Sequence, residues 1–240
     1  ENKSAGTSEE TLALAEGWFA AAKKEPEPIR ESLQRHAIKL YNQGVKGKSG
    51  TELAAENKRF VGLKLAVASR DMNLLQNWKI ANGKWTQAPD GKIRGDGNSR
   101  ANFKQKLPQD FYIQFRMSVA SGMRPRIYFG GTQMFIGSDG PTQHLSAHST
   151  KSYRGVTRKY VNGEEMLIGV RFRGAHFDWY ANGERIGRGE RAVVPEYVTI
   201  GIRGGDNWSR GTTLYWDFKV MAKKLATPDA SVEKKTEVTQ

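Results

Sequence analysis

From Ser8 the chain repeats apolar residues every three or four positions: Leu12, Ala15, Trp18, Phe19 and Ala22. That spacing predicts an amphipathic helix, with Ser8 as N-cap and Glu9 and Glu10 as an acidic first turn. Glu25-Pro26-Glu27-Pro28 ends it, and Pro28 suits the first turn of a second helix. The second stripe is Ile29, Leu33, Ala37, Leu40 and Tyr41, stopped by Gly44. After a Gly/Lys/Ser loop, residues 51–68 predict a third helix with Leu53, Phe60 and Leu65 on its apolar side.

Past about residue 77 the rhythm changes to strict alternation. Strands are predicted over 78–80, 84–87, 92–94, 111–119, 126–129, 133–136, 166–173, 176–181, 185–187, 197–203 and 212–220. Asn82-Gly83, Asp90-Gly91, Asp139-Gly140, Asn162-Gly163 and Asn182-Gly183 read as the turns between them. Many short strands with no helical pattern between them imply an all-β, two-sheet antiparallel sandwich preceded by a three-helix segment. The organisation expected is a helical module over 8–70, a sandwich over 71–221 and a flexible tail over 222–240.

Alternation also assigns faces. Phe111, Ile113, Phe115 and Met117 point inward, leaving Tyr112, Gln114 and Arg116 outside. Likewise Ile127 and Phe129 leave Arg126 and Tyr128 outside, while Ile168, Val170 and Phe172 leave Arg171 and Arg173 outside. Phe177, Trp179 and Ala181 inside put Asp178 and Tyr180 on the other face. Val198, Ile200 and Ile202 inside put Thr199 and Arg203 outside; Leu214, Trp216 and Phe218 inside put Tyr215 and Asp217 outside.

Several stretches are similar to a known family. NWKIANGKWTQAPDGKIRGDG, LPQDFYIQFRMSV, MLIGVRFRGAHFDWYANGERIG and VTIGIRGGDNWSRGTTLYWDFKV resemble the concanavalin A-like lectin/glucanase jelly roll over residues 77–221. Within it, the pattern is similar to bacterial 3-keto-disaccharide hydrolase-type and laminin G-like domains. LAEGWFAAAKKEPEPIRESLQRHAIKLYNQGVKG resembles a tetratricopeptide-like helical hairpin, a unit that stacks on a neighbour to bury its stripe. Such resemblances imply a fold, whereas function has to be argued from a site.

The formal net charge is +13, and most of the excess lies between residues 71 and 222, where Arg outnumbers Lys. Guanidinium suits planar recognition of carboxylate, sulfate or phosphate. No cysteine is present, which excludes disulfides and thiolate ligands. No apolar run is long enough to span a bilayer. The chain begins at Glu1 without an initiator Met, and an extracytoplasmic location after signal-peptide removal is the expectation.

A glycoside hydrolase on this fold needs paired carboxylates about 5–9 Å apart. The Glu-x-Asp-x-x-Glu strand arrangement of the glucanase branch is missing. Glu164 and Glu165 read as adjacent turn residues pointing opposite ways, and Glu184 and Glu190 as lying in or near turns. Asp178 and Asp217 stand alone in their strands, and only convergence across strands would pair them. His144 and His148 read as loop histidines rather than metal ligands. Asp96, Asn98, Asp139, Asp206 and Asn207 have oxygens suited to calcium, though such clusters commonly make turns, and no cofactor is expected.

What remains is a binding face. Arg116, Arg126, Tyr128, Arg171, Arg203, Asp206, Trp208 and Arg210 are the candidate ligand-binding residues, with Trp208 as an exposed stacking ring. The function expected is non-catalytic carbohydrate binding, with acidic polysaccharide as the ligand the charge favours. The alternatives are a glycoside or 3-keto-disaccharide hydrolase and a protein-interaction module whose helices dock other domains. The charge admits nucleic acid as a partner, but no nucleic-acid motif accompanies it.

Overall fold

The computed structural model describes residues 6–105, 107–108, 110–121, 126–129, 132–138, 143–148, 158–160, 163–190, 197–198, 200–203 and 211–221. Four helices open the chain: α1 Ser8–Ala22, α2 Ile29–Gly44, α3 Gly50–Arg59 and α4 Val61–Asp71. Thr7, not Ser8, caps α1. Its hydroxyl accepts from Glu10 N at 3.3 Å and its own N–H donates to Glu10 Oε2 at 2.7 Å, a reciprocal capping box. Ser8 instead turns its hydroxyl to the carbonyl of Gly44, tying α1 to the end of α2.

The single helix expected over 51–68 breaks at Phe60, whose ψ of 15° lies outside the helical range. The break has a packing cause. Phe60 is buried against Tyr41, their rings 5.0 Å apart, while α3 buries nothing and runs along the surface. Helix α4 then serves two cores at once. Leu63 and Val67, one turn apart, pack with Leu12, Ala15 and Ala37 among the helices. Leu65, Ala68 and Met72 lie on another face and join Trp78, Phe103 and Phe218 in the β region. Burying one such Leu or Met stabilises by roughly 1.5–3 kcal/mol, so this second face fixes the helices to the sheets.

Fourteen strands follow among the described residues: β1 Trp78–Gln87, β2 Ile93–Phe103, β3 Leu107–Pro108, β4 Tyr112–Ser121, β5 Arg126–Phe129, β6 Thr132–Ser138, β7 Gln143–His148, β8 Arg158–Tyr160, β9 Glu165–Arg173, β10 His176–Ala181, β11 Glu184–Glu190, β12 Tyr197–Val198, β13 Ile200–Arg203 and β14 Thr212–Met221. The main sheet runs β11-β10-β9-β4-β14-β2-β13-β5-β6-β7-β8, antiparallel throughout, with β1 on β2. A two-stranded piece pairs β12 with β3.

Strand β2 is where the sheet becomes two layers. Its first residues, Ile93–Asp96, pair with β14, and Arg100–Asn102 pair with β13. Gly97, at φ +58°, sits between the two stretches. The far ends of the strip come together, with β11 lying beside β7. The result is a jelly-roll sandwich whose core holds Ile93, Phe115, Phe172, Phe177, Trp179 and Ile202.

Asn82-Gly83 is not a turn. It lies inside β1 as an irregularity, with Gly83 at φ +75° pressed onto Ser99 and Asn82 Nδ2 donating to Asn98 O at 2.9 Å. An Asn-Gly pair satisfies a bulge as readily as a hairpin, because both need positive φ. Residues 96–98, read as a turn, are the crossing point of β2.

Candidate functional site

The outward face of the arm formed by β14, β4, β9, β10 and β11 carries the most chemistry among the described side chains. Cross-strand register sets its rows. Tyr112, Arg171, Asp178 and Arg188 stand opposite one another across β4, β9, β10 and β11. One step along, Gln114, Gly169, Tyr180 and Arg185 form the next row. Trp216, Arg116 and Leu167 form a third across β14, β4 and β9.

Asp178 faces away from the core, as alternation predicts, yet its side chain is only 4% exposed. Arginines roof it. Arg173 Nη2 lies 2.9 Å from Oδ2, Arg188 Nε 3.1 Å from Oδ1, and Arg185 Nη1 4.0 Å from Oδ1. A buried carboxylate is tolerated when it is paired and hydrogen-bonded, and here it is. Arg171, in register with Asp178, makes no ion pair among the described residues.

Tyr112 is buried although it lies on the outer face. Its ring covers Gly169, and a Cβ there would meet the phenol oxygen at 2.1 Å. Tyr180 meets it edge-on at 6.2 Å. Burial, and secondarily the neighbouring Tyr180, push the Tyr112 hydroxyl up to about 12.

In β14 the inside–outside assignment breaks. Tyr215 is fully buried against Phe115 and Trp85, while Leu214 and Trp216 turn outward and are half-buried. A register shift between Trp216 and Lys219 places Asp217 at φ +53°, and Phe218 and Val220 then resume the core side. Asp tolerates this conformation better than most residues. LYWDF is apolar on both parities, so alternation alone left the choice open and took the wrong one. Trp216 is the aromatic ring that sequence reasoning missed. Lys92 Nζ lies 5.2 Å over it, and Arg116 stands across the strand.

Arg116 bonds Glu165 and also lies 3.5 Å, through Nε, from Asp217 Oδ2. Lys219 pairs with Asp217 at 3.1 Å. Glu165 opens β9 rather than sitting in a turn. Two carboxylates thus approach one another, but a guanidinium fills the space between them. Asp178 and Asp217 do not converge: β9 and β4 separate their strands, a span of roughly 14 Å at the usual inter-strand spacing. Glu184 and Glu190 open and close β11.

Of the sequence-predicted site residues, Arg116 and Arg171 belong to this arm. Arg126, Tyr128 and Arg203 have their backbones in β5 and β13, in the other arm, with Arg203 opposite Arg126 and Gly201 opposite Tyr128. The strand order therefore splits the predicted set in two. Asp206, Trp208 and Arg210, like Asp139 and Asn207, lie outside the described residues. His144 and His148 are in strand β7, not a loop, and four residues of extended chain separate them by roughly 13 Å, too far to share an ion. Asp96 accepts from Thr212 Oγ1 at 2.7 Å and Arg94 Nε at 2.9 Å. Burial pushes its carboxyl up, but those two donors outweigh it and hold it below the ordinary range. No group of three or more His, Asp or Glu suited to a metal occurs among the described residues. No described helix is long and apolar enough to cross a membrane.

Leu65, Ala68 and Met72, the helical side chains buried with the strands, turn to the core of the sandwich. The helices reach the sandwich through α4, which lies on β14 and β3 and packs into the core. Their own exposed apolar side chains are Leu14, Trp18 and Ile29, Trp18 sitting edge-on to His36 at 4.9 Å.

No family model and no curated protein matches this sequence. Solved structures similar in chain path include a carbohydrate-binding module, CBM66, from Bacillus subtilis, at 10% identity over 60% of this chain and 95% of that one, TM-score 0.44. A β-glucanase from Bacillus licheniformis is 12% identical over 61% of this chain and 92% of its own, TM-score 0.41. A functionally unknown protein from Saccharomyces cerevisiae is 10% identical over 63% and 99%, TM-score 0.49.

Proposed function

We propose that this protein is a non-catalytic carbohydrate-binding module that recognises acidic polysaccharide outside the cytoplasm. The observation that carries this reading is the outward face of the β14–β11 arm. It sets the half-buried indole of Trp216 across from Arg116 and continues into a field of arginines, while α4 turns Leu65, Ala68 and Met72 to the core. A flat ring stacks on the C–H face of a sugar, and guanidinium pairs with acidic substituents or donates to hydroxyls.

A hydrolase would need two carboxylates facing across a gap wide enough for a glycosidic bond. Glu165 and Asp217 are brought together on this face, and Arg116 occupies the gap. That occupation favours binding over cleavage.

The test is a panel of neutral, uronic and sulfated polysaccharides presented to the wild type, Trp216→Ala and Trp208→Ala. Binding to acidic members, lost about tenfold or more in Trp216→Ala at unchanged melting temperature, supports the reading. Wild-type binding to no polysaccharide, or release of reducing ends from any of them, overturns it.

A further inference from the structure

We propose that the arginines around Asp178 form an oxyanion-binding site for the sulfate or carboxylate groups of a glycan chain, with Asp178 as the residue that positions them. This rests on the glycan-binding reading and assigns it a second contact, on a different part of the same arm from Trp216.

The argument begins with charge. Arg173, Arg185 and Arg188 surround one carboxylate, and Arg171 stands opposite that carboxylate without an ion pair among the described residues. One negative charge cannot compensate four guanidiniums. Left to themselves, four cations on adjacent strands would spread into solvent. A carboxylate buried to 4% exposure holds Arg173, Arg185 and Arg188 together, because its own burial is tolerable only while they stay. Other acids close in sequence or register are Asp110, which accepts from Gly174 N beside Arg173 at 2.8 Å, Glu184, beside Arg185, and Glu190, whose backbone is opposite His176.

Donor geometry follows from the same contacts. Arg173 reaches Asp178 through Nη2 alone and Arg188 through Nε alone. Each guanidinium has five N–H donors, so most point elsewhere. The three side chains are 51%, 55% and 52% exposed, which puts those donors at the surface. A tetrahedral sulfate or planar carboxylate accepts several such donors at once, whereas a neutral sugar offers no charge to match. Tyr180, in register with Arg185, sets an aromatic edge beside the cations, a juxtaposition suited to a sugar ring bearing an anionic group. Among the described residues these half-exposed arginines run along a sheet face, an arrangement that fits a polymer lying across it.

The test uses the whole chain with dextran sulfate, dextran and alginate. The variants are the double Arg171→Gln/Arg185→Gln, which spares both close bonds to Asp178, and Arg188→Lys. The wild type is expected to bind dextran sulfate, alginate or both more tightly than dextran, with affinity falling as salt rises. The double variant should lose about tenfold to a hundredfold of that affinity at unchanged melting temperature. Arg188→Lys should lose part of it, since an ammonium lacks the fork of donors.

Dextran sulfate alone binding assigns sulfate esters, and alginate alone assigns uronate. Equal binding of dextran and dextran sulfate, unaffected in the double variant, overturns this site and the preference for acidic glycans, while carbohydrate binding itself stands. Binding to none of the three overturns both. Single-stranded DNA that binds as tightly as dextran sulfate and displaces it overturns the assignment to a glycan.

Discussion

The side chain of Asn73 completes a strand edge for Phe218. Its Oδ1 accepts from Phe218 N at 2.8 Å, and its Nδ2 donates to Phe218 O at 3.0 Å. Two residues on, Ser69 Oγ accepts from Val220 N at 2.7 Å and shares its one proton between Val220 O at 3.0 Å and Leu65 O at 2.8 Å. These main-chain groups need partners because β2 begins at Ile93, opposite Tyr215, and cannot reach further along β14. Asn73→Ala removes both partners of Phe218 and is expected to lower stability by roughly 2–3 kcal/mol. Urea denaturation checks this, and an unchanged midpoint would deny the edge-completing role.

Gly169 is fixed by the ring laid over it. A methyl group there would meet the Tyr112 oxygen at 2.1 Å and ring carbon Cζ at 2.8 Å. Gly169→Ala should destabilise by about 1–3 kcal/mol, the usual cost of overfilling a packed site. Adding Tyr112→Phe, which deletes the shortest contact, should return part of that loss in a double-mutant cycle of thermal melts.

Tyr112 gives the pH dependence a direction. Its hydroxyl is raised in the folded state from the ordinary 10.0 to about 12, so the unfolded chain ionises first. Its contribution is intact below pH 10, falls as the pH rises from there, and is gone above about 12. Spectrophotometric titration should show a late phenolate component that is lost in Tyr112→Phe, and the alkaline loss of stability should be shallower in that variant.

Asp178→Asn leaves the roofing arginines without their shared anion. A loss of about 1–2 kcal/mol at low salt is expected, discounted because the guanidiniums are half in solvent. Salt should shrink the difference between variant and wild type by screening the arginines from one another. Denaturation at low and high sodium chloride measures it, and a difference independent of salt would contradict the charge argument.

Alternation was enough to place Ile168, Val170, Phe172, Phe177 and Trp179 in the core, because each strand there has one apolar parity. It failed in β14, where Leu214, Tyr215, Trp216 and Phe218 offer both parities and only the bulge at Asp217 decides. The roof over Asp178 was equally hidden. Asp178 reads as an outward carboxylate in sequence, and its burial depends on Arg173 and Arg188 arriving from the strands on either side. Which strands become neighbours is a property of the whole sheet, so Arg116 and Arg171 separate from Arg126 and Arg203 only once the strand order is known. The break at Phe60 follows from where its ring must go, which no helical stripe records.

Helix α4 makes any cut between the helices and the sandwich an amputation. Severing at residue 71 would carry Leu65 and Ala68 away from Phe218 and strip Val220 of Ser69. The sandwich would keep its strands but lose a wall. A recombinant β portion that starts ahead of Val61 retains that wall.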